Sequence, residues 1–157
     1  MRFADIAAGR VIALGPASLS EADIVEFARK WDPQWFHADP QRAGDGRWGG
    51  LIASGWQTCA VAMKLAVDHV LAGSESFGSP GLEYVKWPAP VRAGDALTLT
   101  ITVHDARRSQ SRPDLGVVRW RWELRNQRGE TAVDLIATSL FDLGADARRT
   151  TAPVISR

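Results

Sequence analysis

One cysteine, Cys59, in 157 residues excludes an intrachain disulfide framework and a cysteine-based metal cluster. It falls in an apolar stretch of helical periodicity, where a buried, inert thiol is the expected state. Long apolar runs are also missing, so no segment is predicted to span a bilayer. The opening Met1-Arg2-Phe3-Ala4-Asp5 has no basic segment leading into an apolar core, so it does not read as a signal peptide, and the expected location is cytoplasmic. Charge of one sign is absent too: 19 basic and 18 acidic residues leave a formal net charge of +1, which argues against a nucleic-acid or membrane-surface partner. Lysine is confined to positions 30, 64 and 86, so the cationic side chains are mostly arginine. Arginine suits bidentate phosphate binding, although solvated surface charge accounts for most of these residues. There is no Gly-x-x-x-x-Gly-Lys-Ser/Thr loop, and the glycines at 44–50 lack the preceding strand of a dinucleotide fold. We find no internal repeat, low-complexity block or second-domain boundary.

What is present suits one domain over residues 1–143, followed by a polar, loose tail over 144–157. Hydrophobic residues at 45% and charged residues at 24% give an ordinary globular balance. Residues 10–14 read as a short strand stopped by Gly15-Pro16. Ser20-Glu21-Ala22-Asp23 resembles a capping box, and Ile24, Phe27 and Ala28 form an apolar face at helical spacing. Pro33 disfavours a helical conformation at Asp32, so this helix ends by Trp31 and Asp32 leaves it on a loop. Residues 41–50, with four glycines, read as a mobile loop. A helix over about 54–71 is apolar on more than one face and is predicted to be largely buried. Gly73 to Pro80 reads as a linker loop. Beyond it come strands: 82–87, an alternating run from Leu97 to His104, another from Val118 to Arg125, a turn at Asn126-Gln127-Arg128-Gly129, and a last strand over 131–141. Such a sheet must cover one face, and the 54–71 helix is the element able to do so.

The chemistry concentrates in Trp31-Asp32-Pro33-Gln34-Trp35-Phe36-His37-Ala38-Asp39-Pro40 and in Gly49-Gly50-Leu51-Ile52-Ala53-Ser54-Gly55-Trp56. Taken singly, Asp32 is an Asx turn and His37 a loop histidine bonded to backbone. Together a carboxylate and an imidazole can hold and deprotonate a water, and the N-terminus of the following helix can stabilise an oxyanion. Asp39 before Pro40 reads as a loop-stabilising acceptor. Ser54 reads as a helix cap rather than a triad nucleophile, because no Gly-x-Ser-x-Gly elbow surrounds it. His69 and His104 have no partner at metal-ligand spacing, and no metal site is expected. Trp120 and Trp122 alternate with charged residues and belong to the core. Trp35, Trp48 and Trp56 flank the Asp32 and His37 segment, as candidate walls of an acyl pocket or as ordinary packing.

The Asp32…His37…Asp39-Pro40 loop, the Gly50-to-Gly55 helix entry and the Trp87-Pro88…Val91-Arg92-Ala93-Gly94-Asp95 turn resemble the MaoC-like dehydratase and (R)-specific enoyl-CoA hydratase family over roughly residues 5–143. Asp32, His37 and Asp39 match its Asp-x-Asn-Pro-x-His-x-Asp signature. Gln34 stands where Asn is usual, Trp35 where Pro is usual, and Ser54-Gly55 replaces His-Gly at the helix entry. The resemblance implies an α+β hot-dog fold, a curved antiparallel sheet wrapped around a long central helix. It implies reversible hydration of a 2-enoyl-CoA to a 3-hydroxyacyl-CoA, with the CoA thioester as substrate and no further cofactor. Asp32 would be the principal base, His37 would orient the water, and Ser54-Gly55 would serve the thioester oxygen. It also implies a homodimer with the site at the subunit interface, and arginines of the partner on the CoA phosphates. A hot-dog acyl-CoA thioesterase would release free thiol without alkene loss. A non-catalytic acyl-CoA-binding subunit would not need the intact Asp32 and His37.

Overall fold

The computed structural model of the chain describes residues 1–144. Apart from Gly144, the predicted polar tail lies outside the described residues. After a 3-10 turn at Phe3–Asp5 come β1 (Val11–Ala17), α1 (Glu21–Trp31), the short helices α2 (Trp35–Ala38) and α3 (Pro40–Gly44), and α4 (Gly55–Ala66). A π-helical turn over Val67–Leu71 prolongs α4, and β2 (Ser76–Lys86), β3 (Leu97–Arg108), β4 (Leu115–Arg125) and β5 (Thr131–Asp142) follow. The strands form a five-stranded antiparallel sheet in the order β1-β3-β4-β5-β2. α4 lies against this sheet and gives the molecule the hot-dog architecture, α+β in class.

Alternation places the core. On β4, Val118, Trp120, Trp122 and Leu124 point inward between half-buried neighbours, and on β3 Leu97, Leu99, Ile101 and Val103 point inward between exposed or half-buried ones. Trp120 packs edge-on to Trp122 and Phe141, with ring centroids 6.0 and 6.3 Å away. Among the described residues, no helix is long and apolar enough to cross a membrane.

Four expectations change. β1 does not stop at Gly15-Pro16; it passes through an irregularity there and pairs again at Ala17 with Leu97. Gly15 permits this, since its φ is +116° and an added Cβ would come within 2.8 Å of the Leu97 carbonyl oxygen. The glycine-rich 41–50 segment is not all loop. Pro40 occupies the first turn of α3, and the Asp39 carboxylate accepts the Arg42 N–H at 3.0 Å, so a proline start and a side-chain cap outweigh the poor helix formers. The Gly73–Pro80 linker is a strand from Ser76 onward. It is a sheet edge paired to β5 alone, where glycine, Pro80 and three register shifts are tolerated. Finally, the long helix is buried on one side only. Gln57, Thr58, Ala62, Leu65 and Ala66 are covered, whereas Trp56 and Met63 are 61% and 50% exposed. One sheet covers one face of a helix, and the second apolar face is left open.

Candidate active site

Three chain segments meet at the N-terminus of α4. Asp32 is the residue at which α1 ends: its N–H still donates to the Ala28 carbonyl at 2.9 Å, but its φ of −150° has left the helix. Pro33 enforces that exit. The chain re-enters helix at Trp35, and α2 carries His37 back so that Nε2 lies 3.5 Å from Asp32 Oδ2. The third segment, Ile52-Ala53-Ser54, is held by the Ile52 N–H on the Phe36 carbonyl at 3.2 Å and the Ala53 N–H on the Val91 carbonyl at 2.8 Å.

Each polar group has a defined task. Ser54, fully buried, donates from Oγ to Asp32 Oδ2 at 2.6 Å and accepts the Trp56 N–H at 3.3 Å, so it caps α4 and fixes the carboxylate together. Gln34 Nε2 donates to Asp32 Oδ1 at 2.8 Å. The Ser54 hydroxyl, against partial burial and with help from Gln34 and His37, holds the Asp32 carboxyl below its ordinary value, so Asp32 is ionised at neutral pH. His37 is buried, and its Nδ1 lies 2.7 Å from the Ile52 carbonyl oxygen. A carbonyl can only accept, so Nδ1 carries a hydrogen and Nε2 is the ring nitrogen turned toward Asp32. Asp32 Oδ2 and His37 Nε2 therefore face one another across 3.5 Å, a pair of groups able to hold a water and exchange a proton with it.

Beside them a pocket of about 220 Å³ is lined by residues that include Phe36, His37, Trp48, Gly55, Trp87 and Val91. Gly55 is the first residue of α4, so its N–H has no partner within the helix and sits at the positive end of the helix dipole. Trp87 Nε1 donates to the Gly55 carbonyl at 2.9 Å, and a Cβ at Gly55 would come within 2.7 Å of the indole. The absent side chain is thus what lets the Trp87 wall close over the helix entry.

Of the residues singled out in the sequence, the fold brings Asp32, His37, Ser54 and Gly55 together at this corner. The three tryptophans separate. Trp48 lines the pocket. Trp35 packs edge-on against Phe36, carries the Arg42 guanidinium over its ring, and would meet a Cβ at Gly46 at 2.6 Å. Trp56 leans on Trp87 and lines a second, apolar cavity of about 320 Å³ between α4 and the β2 side of the sheet. Sequence reasoning missed the Gln34 and Ser54 bonds to Asp32, the Ile52 carbonyl and the Trp87 wall. Gln34 carried a signal, because it offers the carboxamide of the usual Asn at the same position. A backbone carbonyl such as that of Ile52 carries none.

The family model described as "MaoC like domain" matches residues 5–119. A MaoC-like dehydratase from Rhodospirillum rubrum is 36% identical in sequence and superposes with a TM-score of 0.81, covering 88% of this chain and 94% of that one. The uncharacterized protein YdeM of Bacillus subtilis is 30% identical over 128 residues, 82% of this chain and 89% of that protein. The 3-hydroxyacyl-thioester dehydratase Z of Mycobacterium tuberculosis is 32% identical over 102 residues, 62% of this chain and 68% of that protein. With the sequence match running from the N-terminal turn into β4, and the fold shared with a MaoC-like dehydratase over nearly its whole length, the chain belongs to the MaoC-like hydratase/dehydratase family.

Proposed function

We propose that the chain adds water reversibly across a 2-enoyl-CoA to give a 3-hydroxyacyl-CoA, with Asp32 and His37 as catalytic residues. The observation that carries this reading is the placement of His37 against Asp32: Nδ1 donates to the Ile52 carbonyl, which turns Nε2 toward the ionised Asp32, 3.5 Å away at the pocket wall. In the reacting state of the proposal the ring is neutral and both groups accept. A water between them would give one hydrogen to each. Its oxygen attacks C3 of the conjugated thioester as Asp32 takes one proton, and electron density moves through C2 onto the thioester oxygen. The Gly55 N–H and the α4 dipole stabilise that oxygen. Collapse of the enolate takes the proton from the Asp32 carboxyl to C2, so water is added and the carboxylate is regenerated. Holding the Asp32 acidity high makes it a weaker base and a better donor to C2, which suits a reaction run in both directions.

The 220 Å³ pocket takes the acyl end, with Trp48 as one wall. Arg residues at the subunit interface would meet the CoA phosphates, and the assembly is at least a homodimer, since Trp56, Met63 and Leu82 expose an apolar face along α4 and the open β2 edge. Loss of the conjugated-alkene absorbance of a trans-2-enoyl-CoA measures the reaction. Asp32→Asn and His37→Ala are each expected to lower kcat about 10²–10⁴-fold without loss of the thermal transition. Full activity in both variants would overturn the assignment, and release of free thiol with the alkene intact would replace hydration by thioester hydrolysis.

A further inference from the structure

The pocket beside His37 has two kinds of wall. Ile52, Ala53, Val91 and Ala132 are buried core residues. Trp48, 44% exposed, is instead carried by the segment between α3 and α4. Gly49 and Gly50 there have φ of +60° and +141°, so this backbone has little conformational preference of its own. Backbone hydrogen bonds close it at either side of Trp48: the Gly46 N–H donates to the Ala43 carbonyl at 3.1 Å, the Gly49 N–H to the Gly46 carbonyl at 2.9 Å and the Gly50 N–H to the Ala43 carbonyl at 2.9 Å. The Trp48 carbonyl accepts a hydrogen bond from Nη2 of Arg92. The same guanidinium closes over Gly50, where a Cβ would come within 3.0 Å of Nη1.

Arg92 is itself firmly seated. Its backbone N–H donates to Asp95 Oδ2 at 2.8 Å, and the buried Asp95 carboxylate also accepts from Gln127 at 3.0 Å and Arg128 at 3.3 Å. One residue earlier, the Val91 carbonyl holds the Ala53 N–H beside Ser54. The pair Val91-Arg92 therefore spans both walls, the core side through its backbone and the Trp48 side through a side chain.

We propose that Arg92 is a positioning residue for acyl-length selectivity: by holding the Trp48 carbonyl it fixes the indole as the wall that limits the pocket. This rests on the acyl-thioester reading above. At about 220 Å³ the pocket falls below the roughly 300–1,000 Å³ of sites for drug-sized ligands, so it takes a short acyl end. Of the two exposed tryptophans that line the pocket, Trp87 is seated on α4 by its bond to the Gly55 carbonyl, whereas Trp48 rides on the glycine-rich segment, so displacing Trp48 is the route to a longer chain. A guanidinium suits the task because its planar fork reaches the carbonyl and covers Gly50 together.

The test is calorimetric binding of butyryl-CoA and octanoyl-CoA, saturated thioesters with no alkene to hydrate, read as the ratio of their Kd values. Arg92→Ala is expected to move the ratio about tenfold toward octanoyl-CoA, the scale of discrimination by methylenes in an apolar pocket. Trp48→Ala moves it the same way, and the double variant goes no further than the larger single effect. Arg92→Lys retains part of the wild-type ratio. Arg92→Gln replaces Arg92→Ala in the comparison should that variant lack a cooperative melt. The proposal is overturned if the Arg92 variant leaves the ratio within twofold of wild type, if its effect adds in full to that of Trp48→Ala, or if neither thioester binds. Binding with the expected ratios but no hydration of any enoyl-CoA would instead remove the proposed reaction and leave the role of Arg92 standing.

Discussion

At the residue scale, the site turns on a hydroxyl. Ser54 stands where the family pattern has histidine, and from that position it donates to Asp32 at 2.6 Å while capping α4. It is the largest cause of the lowered Asp32 pKa. A carboxylate whose folded-state value is lowered adds stability that is present above its unfolded value and is lost as pH falls through the folded one. The same sign governs activity, because the ionised form is the one that accepts the water proton. In Ser54→Ala the Asp32 value rises, so the acid limb of kcat/KM should move to higher pH while the alkaline limb stays in place. A hydrogen bond to a charged group is worth roughly 1.5–3 kcal/mol, so activity on the plateau should fall at least about tenfold. Ser54→Thr keeps the hydroxyl and should restore the wild-type limb. An unmoved acid limb in Ser54→Ala would detach Ser54 from Asp32.

At the scale of elements, the entry of α4 is the part that must be built closely. Trp87 follows the end of β2 and bonds the Gly55 carbonyl, and its ring occupies the volume a side chain at 55 would need. Gly55→Ala should therefore cost roughly 1–3 kcal/mol through overpacking, seen as a lower Tm, together with reduced turnover as the helix entry shifts. In a Trp87→Ala background the same substitution meets open space and should cost much less; an equal cost in both backgrounds would mean that the ring is not what excludes a side chain. The helix start was legible at Ser54-Gly55, since a cap residue ahead of an apolar run is a local signal. The requirement for glycine was not, because the atoms that impose it come from residue 87.

At the scale of the whole molecule, one chain leaves an apolar face uncovered. Trp56, Met63 and Leu82 are each about half exposed or more, beside an edge strand of eleven residues. Sedimentation should give twice the 17.1 kDa of a single chain, and Leu82→Glu should shift the protein toward monomer; a wild-type monomer at micromolar concentration would contradict the proposed homodimer. That face also explains why the 54–71 helix read as largely buried: it is apolar on more than one face, and its own sheet covers only one of them. Periodicity likewise sufficed for β3, β4, β5 and α1, where alternation or a capping box is written into neighbouring residues. It placed the second half of β2 but failed over its first half, residues 76–81, and at α3, where pairing to β5 and the cap from Asp39 overrode weak local propensity. The sequence by itself determined the order of elements, the Asp32-to-His37 spacing and the family, because these depend on residues close along the chain. Only the tertiary structure decided that Ser54 bonds Asp32 across 22 positions, that the Ile52 carbonyl sets the His37 tautomer, and that Trp48 rather than Trp35 or Trp56 walls the pocket. Those contacts join distant segments whose approach is fixed by burial of the sheet and helix, and no local pattern encodes them.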